Sequence, residues 1–156
     1  MRLCDILTID RIIVDADGTQ VPSKELALKK LAELLSPAVS VPEAEVEDLL
    51  LEREHLQSTG IGDGVAIPHT ALDHADRQAS ALILCPRGVE FNAIDGKRVN
   101  IVFGVVGPKR ATGEHLRTLA RISRLLRDDA TRARLVSAAS REEVYGLIAA
   151  HDASEK

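Results

Sequence analysis

Three residues stand where an apolar side chain would ordinarily be expected, and each could handle an anion. In "GVAIPHT", residues 64–70, His69 follows the short apolar run Val65-Ala66-Ile67 and then Pro68. Proline offers no N–H for strand pairing, so the imidazole is expected at the mouth of a strand, where binding and reactive groups gather. His115 opens the series His115, Leu119, Ile122, Leu126, which puts it on the apolar face of a helix. With Thr112 as N-cap, His115 would lie in the first turn. Free N–H groups and the helix dipole there favour an anion and a neutral imidazole. Arg53 falls in the stripe Val46, Leu49, Leu50, Leu56. A guanidinium aimed at a core is costly unless an anion or acceptors meet it.

Singly, each has a plain structural reading. Arg53 could pack its stem and snorkel or pair with a local carboxylate, and either histidine could be a hydrogen-bonded core residue. As a set they describe an anion pocket beside a nucleophilic imidazole. Imidazole titrates near about pH 6.5, so its nucleophilic neutral form is abundant at neutral pH.

Other patterns carry less chemistry. "GIGDG" follows a helix and precedes a strand, the reverse of a dinucleotide fingerprint, and no Lys-Ser or Lys-Thr follows it as in a phosphate loop. His69, Asp73, His74 and Asp76 could ligate zinc, but the spacing is loose, and no metal is expected. Cys4 and Cys85 are isolated, which fits reduced thiols in a cytoplasmic protein better than a disulfide. Ser58-Thr59 has no base beside it, and His55 and His151 read as exposed helix residues.

The elements that must position the trio can be read from periodicity and punctuation. Ile12-Ile13-Val14 reads as a strand before an Asp-Gly turn. Ser23 caps a helix to about Leu35 that "SPAVS" breaks, and Ser40 with Glu43 forms a capping box for a second helix to about Gln57. Val65-Ala66-Ile67, Ala79–Cys85 and Val99–Val106 read as strands, with "TALDHADRQ" a polar loop, Pro86-Arg87-Gly88 a turn and Gly107-Pro108 a stop. Helices then run over 112–127, about 130–138, and from a capping box at Ser140 and Glu143, with Val144, Leu147 and Ile148 on its inner face. Residues 1–150 form one domain and 151–156 a loose tail in this reading. The order is strand, two helices, three strands, three helices, which is an α/β fold (α+β by some schemes) with a sheet covered on both faces.

The totals set the class. The 156 residues suffice for one core, and with 45% hydrophobic but only 2% aromatic residues, Leu, Ile, Val and Ala must build it. A net charge of −4 without basic runs argues against nucleic acid and membrane surfaces. No stretch approaches the ~20 apolar residues of a membrane span, and the start reads as no signal peptide. A cytoplasmic protein is expected.

"LLLEREHLQSTGIGDGVAIPHT" resembles the signature segment of the EIIA proteins of the bacterial phosphoenolpyruvate-dependent phosphotransferase system, in the fructose/mannitol/nitrogen-regulatory family. Arg53, the run at 58–69 and "EHL" at 114–116 stand in family order, and "FNAIDGKRVNIVFGVVGP" and "LARISRLLRD" extend the resemblance over nearly the whole chain. It implies a three-layer α/β/α domain around a mixed sheet. His69 matches the histidine that accepts phosphate from an HPr-type phosphohistidine carrier. His115 matches the second active-site histidine, and Arg53 the arginine near the phosphohistidine. Thr70 stands where many members have glycine.

The resemblance further implies histidine-to-histidine phosphoryl transfer without a metal or other cofactor. The stand-alone length and "STGIGDGVAIPH" resemble the nitrogen-regulatory type, which acts on regulatory targets according to its phosphorylation. The alternatives are a fructose- or mannitol-type EIIA passing phosphate to a separate EIIB, and a binding module that keeps only the fold. Sugar, targets, oligomeric state and the phosphorylated ring nitrogen stay open.

Overall fold

The computed structural model describes residues 2–155. The architecture is a mixed sheet between two helical layers. The strands are β1 (Ile12–Val14), β2 (Gly60–Gly62), β3 (Val65–Ala66), β4 (His69–Leu72), β5 (Ala79–Val89) and β6 (Val99–Pro108). The helices are α1 (Lys24–Val39), α2 (Glu43–Leu56), α3 (Thr112–Arg127), α4 (Asp129–Ser137) and α5 (Arg141–Ser154). The sheet order is β1-β5-β6-β3-β2, with β4 beside β6 beyond the end of β3. β1 runs parallel to β5, β5 antiparallel to β6, and β3 and β4 parallel to β6.

Alternation along β6 shows why it is apolar throughout. Ile101, Phe103 and Val105 face one core with Ile122 and Leu126 of α3 and Val144 and Ile148 of α5. Val102 and Val106 face the other, with Leu28, Leu31 and Leu35 of α1 and Val46 and Leu50 of α2. A strand covered on both faces has no solvent side on which to place polar residues. Gly104 lets α1 come close, since a Cβ there would lie 2.9 Å from both methyl carbons of Leu31.

Several boundaries differ from the expected ones. α1 continues through Pro37 because Val39 beyond it is fully buried, and the helix ends at Ser40 in a left-handed conformation (φ 58°). Ser40 therefore terminates α1 and is not free to cap α2, whose N-cap is Pro42 without a side-chain bond. β5 runs through Pro86 by a register shift, where the Asn100 side chain donates to the carbonyls of Cys85 and Pro86, and proline is tolerated at such irregularities. Thr112 is the first residue of α3, not its cap: a 3-10 turn at Lys109–Ala111 leads straight in, and the Thr112 hydroxyl donates to the Lys109 carbonyl. The Ser140 cap is present, accepting from the Glu143 N–H.

Two strands were not expected. β2 is built from a glycine pair and β4 from the start of the presumed polar loop. The tail is not loose either. Residues 151–154 complete α5, and the buried Asp152 carboxylate accepts from the N–H groups of Leu3 and Cys4, tying the chain ends together. Lys156 lies outside the described residues. His151 is half-buried, not exposed. Cys4 packs against the α3–α5 core and Cys85 in the α1–α2 core, both as free thiols, and burial pushes Cys85 up to about 12.

Candidate functional site

His69 is the first residue of β4, and Pro68 interrupts the ladder without removing the chain from β6. Val65 and Ala66 pair with Ile101 and Val102, the Val105 N–H donates to the Pro68 carbonyl at 2.9 Å, and His69 itself pairs with Val105. The register is thus kept through 65–72. Alternation puts His69 on the same face as Val65 and Ile67, the face that α3 covers. The expectation of a strand end becomes a break inside a nearly continuous strand.

α3 brings its first turn to that face. The His69 and His115 ring centroids lie 5.7 Å apart, with the planes tilted by 46°. His69 Nδ1 is 2.7 Å from the Ile67 carbonyl oxygen. A carbonyl only accepts, so Nδ1 carries the proton and Nε2 keeps its lone pair. His115 Nδ1 is buried with no hydrogen-bond partner among the described residues, unlike a core histidine with its polar atoms satisfied.

Arg53 stands in the last turn of α2. It is half-buried, and its Nη1 donates to the Gln57 carbonyl at 2.9 Å across the helix end. Its charge is felt at His69. Burial is the main cause that lowers the His69 pKa, the Ile67 carbonyl opposes it, Arg53 lowers it further and Glu54 raises it, for a net downward shift. His115 is also lowered, by burial first and by His69 second. Both imidazoles therefore favour the neutral form at pH 7, the form in which a ring nitrogen keeps a lone pair.

The zinc candidates diverge. Asp73 pairs with Lys109 at 3.0 Å, and His74 and Asp76 are exposed. Among the described residues no group of three or more His, Cys, Asp or Glu side chains converges. No helix among them is long and apolar enough to cross a membrane.

Comparison with known proteins gives this constellation a context. Residues 5–151 match the family described as phosphoenolpyruvate-dependent sugar phosphotransferase system, EIIA 2. The chain belongs to this family. A nitrogen regulatory protein of Pseudomonas aeruginosa is 36% identical over 151 residues, covering 95% of each chain. A phosphotransferase-system fructose-specific EIIA component of Haloferax volcanii is 31% identical over 150 residues, covering 96% of this chain and 97% of its own. The crystal structure of nitrogen regulatory protein IIA-Ntr from Neisseria meningitidis superposes with a TM-score of 0.85 at 35% identity, covering 92% of this chain and 97% of that one. EIIA proteins are phosphotransfer components, and this chain is one of them.

Within this EIIA fold one charged neighbour, Glu54, is not evident from the local sequence pattern. Leu56 was placed in the inner stripe of α2, yet it is 80% exposed, while Glu54 is 5% exposed. The inner face runs Val46, Leu50, Glu54, at i, i+4, i+8. That spacing was visible in the sequence, but a glutamate in a helix rich in Glu and Asp reads as solvated. What brings it inside is Lys24 of α1, 2.9 Å away, and Thr59, whose N–H and hydroxyl both donate to it.

Proposed function

We propose that His69 accepts a phosphoryl group on Nε2 from an HPr-type phosphohistidine carrier. The observation that carries this reading is the Nδ1–H bond to the Ile67 carbonyl, which leaves Nε2 as the free nucleophile beside a second neutral imidazole. The Nε2 lone pair forms the new N–P bond as the donor's N–P bond breaks, and the donor imidazole keeps that electron pair. The His69 ring becomes imidazolium-like, and the Ile67 carbonyl supports the proton that stays on Nδ1. Transfer of this kind depends on positioning and on spreading the charge of the phosphoryl oxygens. Arg53 offers guanidinium N–H groups beyond the one held by Gln57, and the His115 imidazole stands beside the His69 ring as a further polar partner. The step needs no metal, because one imidazole replaces another of similar basicity.

The protein acts in the cytoplasm and signals through its phosphorylation state to regulatory targets. The kinship with nitrogen regulatory proteins over nearly the full chain supports this branch. The second reading, transfer to a separate EIIB in sugar uptake, is supported by the fructose-specific relative of comparable coverage. Rapid drainage of phosphate from His69 to an EIIB in the presence of sugar would favour the second reading over the first.

Intact mass after incubation with phosphoenolpyruvate, enzyme I and an HPr-type carrier tests the core of the proposal. One acid-labile phosphate is expected, absent in His69→Ala. An acid-stable adduct, or one that persists in that variant, refutes it.

A further inference from the structure

Glu54 is a buried carboxylate that the transfer step does not use, and its bonds lead towards the nucleophile. Its Oε2 is 2.9 Å from Lys24 Nζ, which also lies 5.6 Å from the centre of the Phe91 ring. Thr59, itself 3% exposed, donates its N–H to Oε1 and Oε2 at 3.2 and 3.1 Å and its hydroxyl to Oε1 at 2.6 Å. A buried ion pair is weak evidence of stabilisation, since apolar residues of similar volume often serve as well. The geometry suggests another reason for it.

Held at both N–H and hydroxyl, Thr59 has its carbonyl direction fixed, and that carbonyl accepts from the Ile67 N–H at 3.0 Å. Ile67 is 6% exposed, with its side chain in the α3-side core, so its backbone has two anchors. Its own carbonyl is the one 2.7 Å from His69 Nδ1. The path from Glu54 to the imidazole is continuous through Thr59 and Ile67.

We propose that Glu54 is a positioning residue: acting through Thr59 and Ile67, it holds the carbonyl that keeps the proton on His69 Nδ1 and leaves Nε2 free. This rests on His69 being the phosphoryl acceptor. Outer partners that fix a histidine's tautomer and ring orientation are known to govern what its other nitrogen can do. His115 faces the same ring and the charge of Arg53 acts on it, but the hydrogen bond at Nδ1 is to the Ile67 carbonyl.

Nitrogen-15 NMR of the unphosphorylated protein, at a pH where the ring is neutral, reads the tautomer directly. Wild type is expected to show a protonated Nδ1 and a bare Nε2. In Glu54→Gln and Thr59→Val the two His69 tautomers should mix, and phosphorylation by the charged carrier should slow about tenfold. Thr59→Ser, which restores the hydroxyl, should return both readouts to wild type. Folded variants with an unchanged tautomer and rates within about twofold of wild type would overturn the proposal. If Glu54→Gln fails to fold, the Thr59 pair decides alone. A tautomer that responds in a protein never phosphorylated on His69 would leave Glu54's role standing and remove the functional reading instead.

Discussion

His69 sits under opposed influences whose balance its neighbours set. Burial and Arg53 disfavour its protonated form, while the Ile67 carbonyl and Glu54 favour it. Arg53→Gln removes a repelling cation, so the His69 pKa should rise towards the ordinary imidazole value in an NMR titration. In the proposed transfer Arg53 is a partner for the phosphoryl oxygens, so the rate should also fall by about 10²-fold. A more basic imidazole that reacts more slowly separates charge stabilisation from nucleophile basicity; a variant that transfers at the wild-type rate would count against a role for Arg53. The two histidines drew notice in the sequence because each stands among apolar residues, whereas the stripe that singled out Arg53 included Leu56, which is exposed. Glu54 breaks an apolar pattern too, but its counter-ion lies on another helix, and no local spacing reveals Lys24.

Among the elements, those with long apolar runs or side-chain caps were the legible ones: β6, the central part of β5, and α5 with its Ser140 cap. β2 was not, because Gly-Ile-Gly has no strand signature and takes its conformation from β3 beside it. Gly60 also lies against the 91–96 segment. A Cβ there would be 2.8 Å from the Ala93 Cβ and 2.9 Å from its Cα, so backbone would have to move. Gly60→Ala should therefore destabilise by about 1–3 kcal/mol in urea unfolding. It should also slow phosphorylation, since β2 follows directly on Thr59. A loss below about 0.5 kcal/mol would mean that this contact yields readily.

At the scale of the molecule, the chain ends and the buried titratable groups couple to global stability. Asp152→Ala strands the buried Leu3 N–H, with an expected loss of about 1–3 kcal/mol by chemical denaturation and no change in the His69 tautomer. The pH dependence has a defined sign. The unfolded chain takes up protons on His69 and His115 near about pH 6.5, whereas the folded chain resists until lower pH. Stability should therefore be complete above about 6.5 and decline as pH falls through the lowered folded values. Glu54 adds a second loss at lower pH. Burial raises its pKa, but the bonds from Thr59 and Lys24 outweigh that, so its contribution holds above its unfolded value and disappears as pH falls through the lowered one. Urea midpoints at about pH 7.5 and 5.5 check the first window. The difference should shrink in a His69→Ala/His115→Ala double variant, and an undiminished difference would place the dependence elsewhere.

By itself the sequence determined that Ala79–Cys85 and Val99–Val106 are strands, where several helices begin, and that two histidines stand among apolar residues, whereas on α2 the position turned inward is that of Glu54 and not Arg53. What it determined is written in local periodicity and in side chains that bond within a turn. Only the tertiary structure decided that β3 and β4 keep one register past Pro68 and that the two imidazoles meet across β4 and α3. It also decided which ring nitrogen is left free and that a glutamate is buried behind the site. Each of these depends on partners distant along the chain: Val105 for His69, α3 for the second ring, and Lys24 for Glu54. Pairings of that kind come from packing, which no single stretch of sequence contains.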